Sequence, residues 1–287
     1  MESSLKHTFS FEAIGTHWSI TTERVLSEDV KMAIRTRIEA FDKTYSRFRK
    51  DSLVTDIARR KGTFEFPEDA IPLFAFYRKL YDLTGGKVTP LIGSMLEKAG
   101  YDADYSLRPK TQEALPDWDD VLEINGSTVT TTQPVTLDVG AAGKGYIVDI
   151  ICKILDVAGI AEYVVDASGD LRHKGHEENR VGLEDPREPG KVIGVIDVQN
   201  QSLCASAINR RKWGKYHHVF DPDMKDSTKG VMATWVIADS TMIADGIATS
   251  LFFVDPNVIR KEFAFEFARM RDDGGVEYSP VFEKALF

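Results

Sequence analysis

Apolar positions recur along this chain with two different periods, and the switches between them mark out its elements. Phe9–Thr22 alternates at period two and predicts a strand interrupted by Gly15. Ser27 then reads as an N-cap, with Glu28 and Asp29 in the positive first turn and Val30, Ile34, Ile38 and Phe41 on one face, so a helix is expected to about Tyr45. A second helix is expected from near Pro67, carrying Leu73, Phe76, Tyr77, Leu80 and Leu83, and stopping at Thr84-Gly85-Gly86. Ile147, Ile150, Ile151, Ile154 and Leu155 form a third helical stripe that Gly159 terminates. A fourth helix is expected from Ser240 to about Phe253. Asn125-Gly126 gives a hairpin signal inside 123–132. Strands are expected at Tyr163–Asp166, 191–198 and 231–238, and in the strictly alternating run from Phe263, which turns at Asp273-Gly274-Gly275.

Helices and antiparallel hairpins come in blocks rather than as βαβ units, which argues for an α+β fold. The 287 residues fit a single domain spanning 1–287, with the polar stretch 103–118 as a loop or insertion. Composition adds exclusions: a net charge of −9 argues against nucleic-acid partners and anionic membranes, and Arg210-Arg211-Lys212 is too short to reverse that. No stretch approaches the roughly 18 apolar residues of a membrane span. Met1–Phe9 has no leader pattern, so a cytoplasmic protein is expected, although a processed exported chain would read the same. Cys152 falls on an apolar helix face and reads as a buried free thiol; Cys204 lies far from it, with no metal spacing between the two.

The chemistry concentrates in Leu137–Asp149, a turn with Gly140, Gly143 and Gly145 that runs into a helix and is flanked by Asp138 and Lys144. A helix N-terminus with a flexible glycine turn suits a phosphate. The glycine order fits neither the dinucleotide fingerprint nor the P-loop, so a tight bend and a phosphate cradle both stay open. Asp245 and Thr249 share one face of an otherwise apolar helix. Such a carboxylate either finds solvent or a backbone donor, or serves a hard cation such as Mg²⁺ or Ca²⁺ with the Thr249 hydroxyl. In His217-His218-Val219-Phe220-Asp221-Pro222 the adjacent histidines point apart, and His218 with Asp221 is a candidate oriented base.

Taken together these motifs resemble the FAD:protein FMN transferases, the ApbE-like flavin transferases. Ile14-Gly15-Thr16, Tyr45–Phe48 with Asp51-Ser52, Thr84-Gly85-Gly86, Leu137–Asp149, His218–Pro222 and Ala244–Thr249 fall in that family's order, covering about residues 10 to 255. The resemblance implies a single flavin-transferase domain with a T-fold-like core. It implies an Mg²⁺-dependent enzyme that splits FAD, attaches FMN to a threonine or serine of a partner flavoprotein, and releases AMP. By position the metal would take Asp245, Thr249 and the carbonyl of Ala141. Asp138 and Lys144 would contact the flavin nucleotide, Phe48, Lys87 and Val88 would line the flavin pocket, and His218 would sit near the reacting phosphate.

The chain departs from the family's pattern at four places. Ile14 replaces a Met, Val88-Thr89 replaces Phe-Asp, Cys204–Ala207 lacks a Ser-Gly pair, and Asp223-Met224-Lys225 replaces Arg-Thr-Gly. The metal and glycine-rich elements are intact, while the flavin-facing and acceptor-facing ones differ. An FAD pyrophosphatase and a non-catalytic flavin- or nucleotide-binding protein therefore stand beside the transferase as readings.

Overall fold

The interruption at Gly15 is a two-residue turn. His7–Ala13 (β1) and Thr16–Thr22 (β2) pair antiparallel, with Ala13 opposite Thr16. Both turn residues are left-handed, Ile14 at φ 53° and Gly15 at φ 68°, as a type I′ turn requires. Glycine takes this conformation freely, whereas β-branched Ile14 is strained in it. The expected helix follows as α1 (Glu28–Tyr45), with the Ser27 hydroxyl accepting from the Val30 N–H at 3.4 Å.

This computed structural model describes residues 5–287 and divides the chain into two compact units. The first comprises residues up to Ile38, Ala142–Asn209 and Lys229–Phe287; the second comprises Glu39–Ala141 and Arg210–Thr228.

The first unit is built on one eight-stranded sheet in which each strand lies beside the next in chain order. After β1 and β2 come Tyr163–Asp166 (β3), Asp170–Lys174 (β4), Ser202–Ala207 (β5), Val231–Ala238 (β6), Glu266–Arg271 (β7) and Val276–Tyr278 (β8). Every neighbouring pair is antiparallel. Period-two alternation gives the sheet two different faces. Leu171, Leu203, Ala233, Trp235, Ile237 and Met270 face a core closed by Leu183, Ile196 and Val198 of the hairpin Asn179–Glu184/Val192–Val198. The intervening positions face two helices, α2 (Gly143–Val157) and α3 (Thr241–Ser250). Ser202 meets Thr241 at 2.8 Å between hydroxyls, and the Thr234 hydroxyl donates to the Ala248 carbonyl at 2.7 Å.

The second unit carries a three-stranded sheet with Thr128–Thr131 central between Gly62–Glu65 and Leu122–Asn125. The predicted hairpin turns at Gly126-Ser127, and Gly126 takes φ 62°. The helix expected from Pro67 starts as a 3-10 turn, Glu68–Ala70, and becomes α-helical over Ile71–Leu83. Residues 105–117 have no regular secondary structure. A second apolar cluster joins Met95, Leu96, Ala99 and Tyr101 to Trp213, Tyr216 and Phe220. Among the described residues no helix is long and apolar enough to cross a membrane.

Candidate active site

The glycine-rich stretch divides between the units, ending one at Ala141 and opening the other at Ala142. None of Gly140, Gly143 and Gly145 has a positive φ, so backbone conformation does not demand glycine there. At Gly145 the reason is close packing. A Cβ on it would run into the Thr241 carbonyl, 2.5 Å from the carbonyl carbon and 2.8 Å from the Asp245 Cβ. The missing side chain lets α2 and α3 approach until the Gly145 N–H donates to Asp245 Oδ2 at 2.9 Å. Asp245 is 3% exposed and accepts from an N–H in the first turn of α2. Thr249 lies one turn further along α3, half-buried.

One turn beyond Gly145, Asp149 makes a second clamp between the same helices. Its carboxylate accepts from the Ser240 hydroxyl (2.7 Å) and from the N–H groups of Thr241 (2.9 Å) and Met242 (3.0 Å). Those are the orphan donors of α3, and an acidic group suits that positive end. Gly145 and Asp149 thus share one face of α2 and together fix where Asp245 sits.

Lys144, between the glycines, is 19% exposed and its ammonium pairs with Asp170 Oδ2 at the start of β4. Asp170 is 1% exposed. Cys204 lies opposite Asp170 in the ladder, and its thiol is pushed far up by burial and by the charges of Asp170 and Asp245. Burial likewise pushes the Cys152 thiol up to about 12, with Asp149 adding to the effect. Both cysteines are free and buried, as expected for Cys152.

In the second unit Asp138 is bound by Arg47, whose Nε donates to Oδ2 at 2.6 Å, and by the Gly140 N–H, which donates to Oδ1 at 2.7 Å. Burial alone would raise the Asp138 carboxyl. The Arg47 charge and hydrogen bond, the Gly140 N–H and the Arg211 charge outweigh it and hold the group below the usual carboxylate range. The Arg47 guanidinium also donates to the Tyr101 carbonyl at 2.7 Å and lies 4.2 Å from the centroid of the Phe48 ring. Phe48 stacks on Tyr105 (5.4 Å, 12°) and meets Tyr101 edge-on (5.2 Å). The Tyr77 hydroxyl accepts from the Ala141 N–H at 3.1 Å and so fixes the turn's last residue in this unit.

Lys87 follows Gly86, and its ammonium reaches Asp221 (2.7 and 2.9 Å) and Asp223 (2.7 Å). Burial opposes that charge, but these hydrogen bonds win and raise the Lys87 group. Val88 is 2% exposed, its N–H donating to the Thr84 hydroxyl at 3.0 Å. His217 is buried with Nε2 3.1 Å from the Thr228 carbonyl, and His218 is half-buried with its backbone N–H donating to the Arg211 carbonyl. Asp221 Oδ1 also accepts from the N–H groups of Asp223 and Met224. The Asp221 carboxylate thus holds Lys87 and its own turn.

The ApbE family model matches residues 14–268. The chain belongs to the ApbE family. Among curated members, the FAD:protein FMN transferase of Rhodobacter capsulatus is 28% identical over 245 residues, covering 78% of this chain and 46% of that protein. The chain thus spans less than half the length of that relative. The Escherichia coli K12 protein of the same name is 21% identical over 281 residues, covering 88% of this chain and 80% of its own. The fold is that of solved ApbE structures. The ApbE protein of Thermotoga maritima superposes with a TM-score of 0.83 at 22% identity, and the flavin transferase ApbE of Vibrio cholerae with 0.80 at 20%, each covering 98% of this chain and 99% of its own.

Within this ApbE-family chain the structure adds residues that sequence reasoning passed over: Arg47, Tyr77, Asp149 and Asp170. Asp149 carried a signal, since it follows Gly145 by one helical turn on the face of the motif. Arg47 and Asp170 carried none, because their partners lie 91 and 26 residues away. Two of the departing segments meet each other, since Lys87 of the Thr84-Gly85-Gly86 element pairs with Asp223 of the His218–Lys225 element.

Proposed function

We propose that this chain is an FAD:protein FMN transferase: it cleaves FAD and attaches FMN through a phosphoester to a threonine or serine of a partner flavoprotein, releasing AMP. The observation that carries the reading is the buried Asp245 carboxylate, fixed by the Gly145 N–H with the Thr249 hydroxyl one turn away, inside a chain that matches the ApbE family over residues 14–268.

Among the described residues no three His, Cys, Asp or Glu side chains gather into a metal cage. A carboxylate, a hydroxyl and a backbone carbonyl are hard oxygen donors, which fit Mg²⁺ completed by phosphate oxygens and water. Asp245, Thr249 and the Ala141 carbonyl are the ligands we assign, and the ion bound there supplies charge neutralisation at the pyrophosphate. The remaining work falls to the protein's own groups. Lys144 adds positive charge at the N-terminal turn of α2, where the transferring phosphate gains charge. Asp138, kept ionised by Arg47, orders the turn and meets the nucleotide, while Phe48, Lys87 and Val88 flank the flavin. The acceptor hydroxyl oxygen bonds to the FMN phosphorus and the bond from that phosphorus to the bridging oxygen breaks. AMP leaves with the electron pair, and the hydroxyl proton passes to His218.

The test is incubation with FAD and Mg²⁺, with and without an acceptor flavoprotein, following AMP, free FMN and protein-bound FMN. Acceptor-linked FMN with one AMP supports the transferase. Free FMN with AMP in both arms makes the chain a pyrophosphatase, and uncleaved bound FAD makes it a binding protein. Asp245→Asn is expected to weaken Mg²⁺-dependent turnover and His218→Ala to slow transfer; full activity in either removes that residue's role.

A further inference from the structure

Asp170 is among the most buried charged groups of the chain, at 1% exposure, and only one of its oxygens is used. Oδ2 takes the Lys144 ammonium; Oδ1 is buried and has no hydrogen-bond partner. A carboxylate in that position is unfavourable unless a cation matches it, and a buried ion pair is weak evidence for stability in itself. An apolar residue at the start of β4 would fill the sheet at less desolvation penalty. The pair therefore asks for a reason beyond packing.

That reason lies in what Asp170 holds. Lysine is a point charge on a long flexible stem, and left alone it spreads over many rotamers. Asp170 sits on a central strand of the eight-stranded sheet, hydrogen-bonded to a strand on each side, with Cys204 opposite it and α2 packed against the strand. It engages the ammonium through one oxygen rather than clasping it with both, so the bond can persist while the ammonium meets a phosphate oxygen. The side chain so held is 19% exposed, within reach of a ligand.

We propose that Asp170 is a positioning residue, fixing the Lys144 ammonium at the N-terminal turn of α2 so that it is already in place when charge develops on the transferring phosphate. The proposal rests on the assignment of Lys144 to the nucleotide made above. A preorganised charge counts most where charge appears during the reaction, so the loss should fall on kcat rather than on KM.

The experiment is steady-state FMN transfer from FAD to an acceptor flavoprotein by wild type, Asp170→Asn, Lys144→Met and the double variant, each with a thermal melt. The expected result for Asp170→Asn is a kcat lower by about 10–100-fold with KM for FAD changed by less than about threefold. The double variant should be no slower than Lys144→Met, because both changes remove one device. Asp170→Glu keeps the charge but moves it by a methylene. It should recover part of kcat, and it serves in place of Asp170→Asn if that variant does not fold. An unchanged kcat in folded Asp170→Asn or Asp170→Glu overturns the proposal, as does a double variant slowed by the product of the two single effects. A normal rate in Lys144→Met refutes the assignment of Lys144 and this proposal with it. If wild type transfers no FMN, the transferase reading falls first and takes Asp170's role with it.

Discussion

Replacing Gly145 by alanine sets two effects of opposite sign against each other. Alanine is the better helix former by about 1 kcal/mol, so propensity alone predicts a more stable protein. The added Cβ, however, would stand 2.5 Å from the Thr241 carbonyl carbon and 2.8 Å from the Asp245 Cβ. Carbon atoms pack best at about 3.5–4.0 Å, so α2 and α3 must part by roughly 1 Å. Overpacking of that kind typically costs about 1–3 kcal/mol. The same movement stretches the 2.9 Å bond from the Gly145 N–H to Asp245 and leaves a buried carboxylate oxygen poorly satisfied, worth about 1–3 kcal/mol more. Set against the propensity gain, the net is a loss of about 1–5 kcal/mol. At roughly 2–4 °C per kcal/mol, the centre of that range lowers the melting temperature by on the order of 10 °C. Urea denaturation and a thermal melt of wild type and Gly145→Ala, with and without Mg²⁺, would measure it. A variant as stable as wild type, or more so, would falsify the close-packing account of this glycine.

Asp149→Ala removes the acceptor for three donors at the start of α3 and should cost about 2 kcal/mol in urea denaturation; a change under about 0.5 kcal/mol would mean that Ser240 alone caps the helix. Arg47→Met strands Asp138 and should cost about 3–5 kcal/mol at pH 7. The Asp138 carboxyl is lowered in the fold, so its contribution is fully present above the unfolded value of about 3.9 and is lost as pH falls through the lower folded value. The penalty of Arg47→Met should therefore shrink in acid once Asp138 is protonated, and an equal penalty at pH 7 and in acid would rule the pairing out. Ile14→Asn converts the β1–β2 turn to Asn-Gly and should add about 1 kcal/mol by relieving the strained φ of 53°. Reduced stability would show that contacts of the Ile14 side chain outweigh the strain.

Legibility followed sequence distance. α1, α2 and α3 were readable because their signals, the Ser27 cap and stripe of α1, the stripe and Gly159 stop of α2 and Ser240 at the start of α3, each lie within one local window, and the hairpin at Gly126 because its turn chemistry is two residues long. Strand β5, Ser-Leu-Cys-Ala-Ser-Ala, was not, since its small residues have low strand propensity and it is held in place by β4 and β6 on either side. The hairpin strand Asn179–Glu184 was missed for a different reason: it is mostly half-exposed and shows no sharp alternation. At the site, the residue types were legible and their tasks were not. Gly145 read as part of either a tight bend or a phosphate cradle, and the atom it accommodates is the Thr241 carbonyl, which no local pattern announces. Asp221 holds Lys87, 134 residues away in the chain, a pairing that the neighbouring residues do not signal.

The α2–α3 clamp also dictates when this protein becomes chemically competent. The bond from Gly145 to Asp245 closes a loop of 100 residues, and the Asp149 cap of α3 closes one nearly as long. Such distant contacts form only after the chain between them has paid its loop-closure entropy, which makes them slow and late. During synthesis α2 leaves the ribosome long before its partner exists. Strands β3 to β6 must be made in the interval, and until α3 docks the Asp245 carboxylate remains in water. The site is thus timed by topology: a chain cut between Asp149 and Ser240 carries the complete glycine-rich motif and none of the clamp's partners on α3.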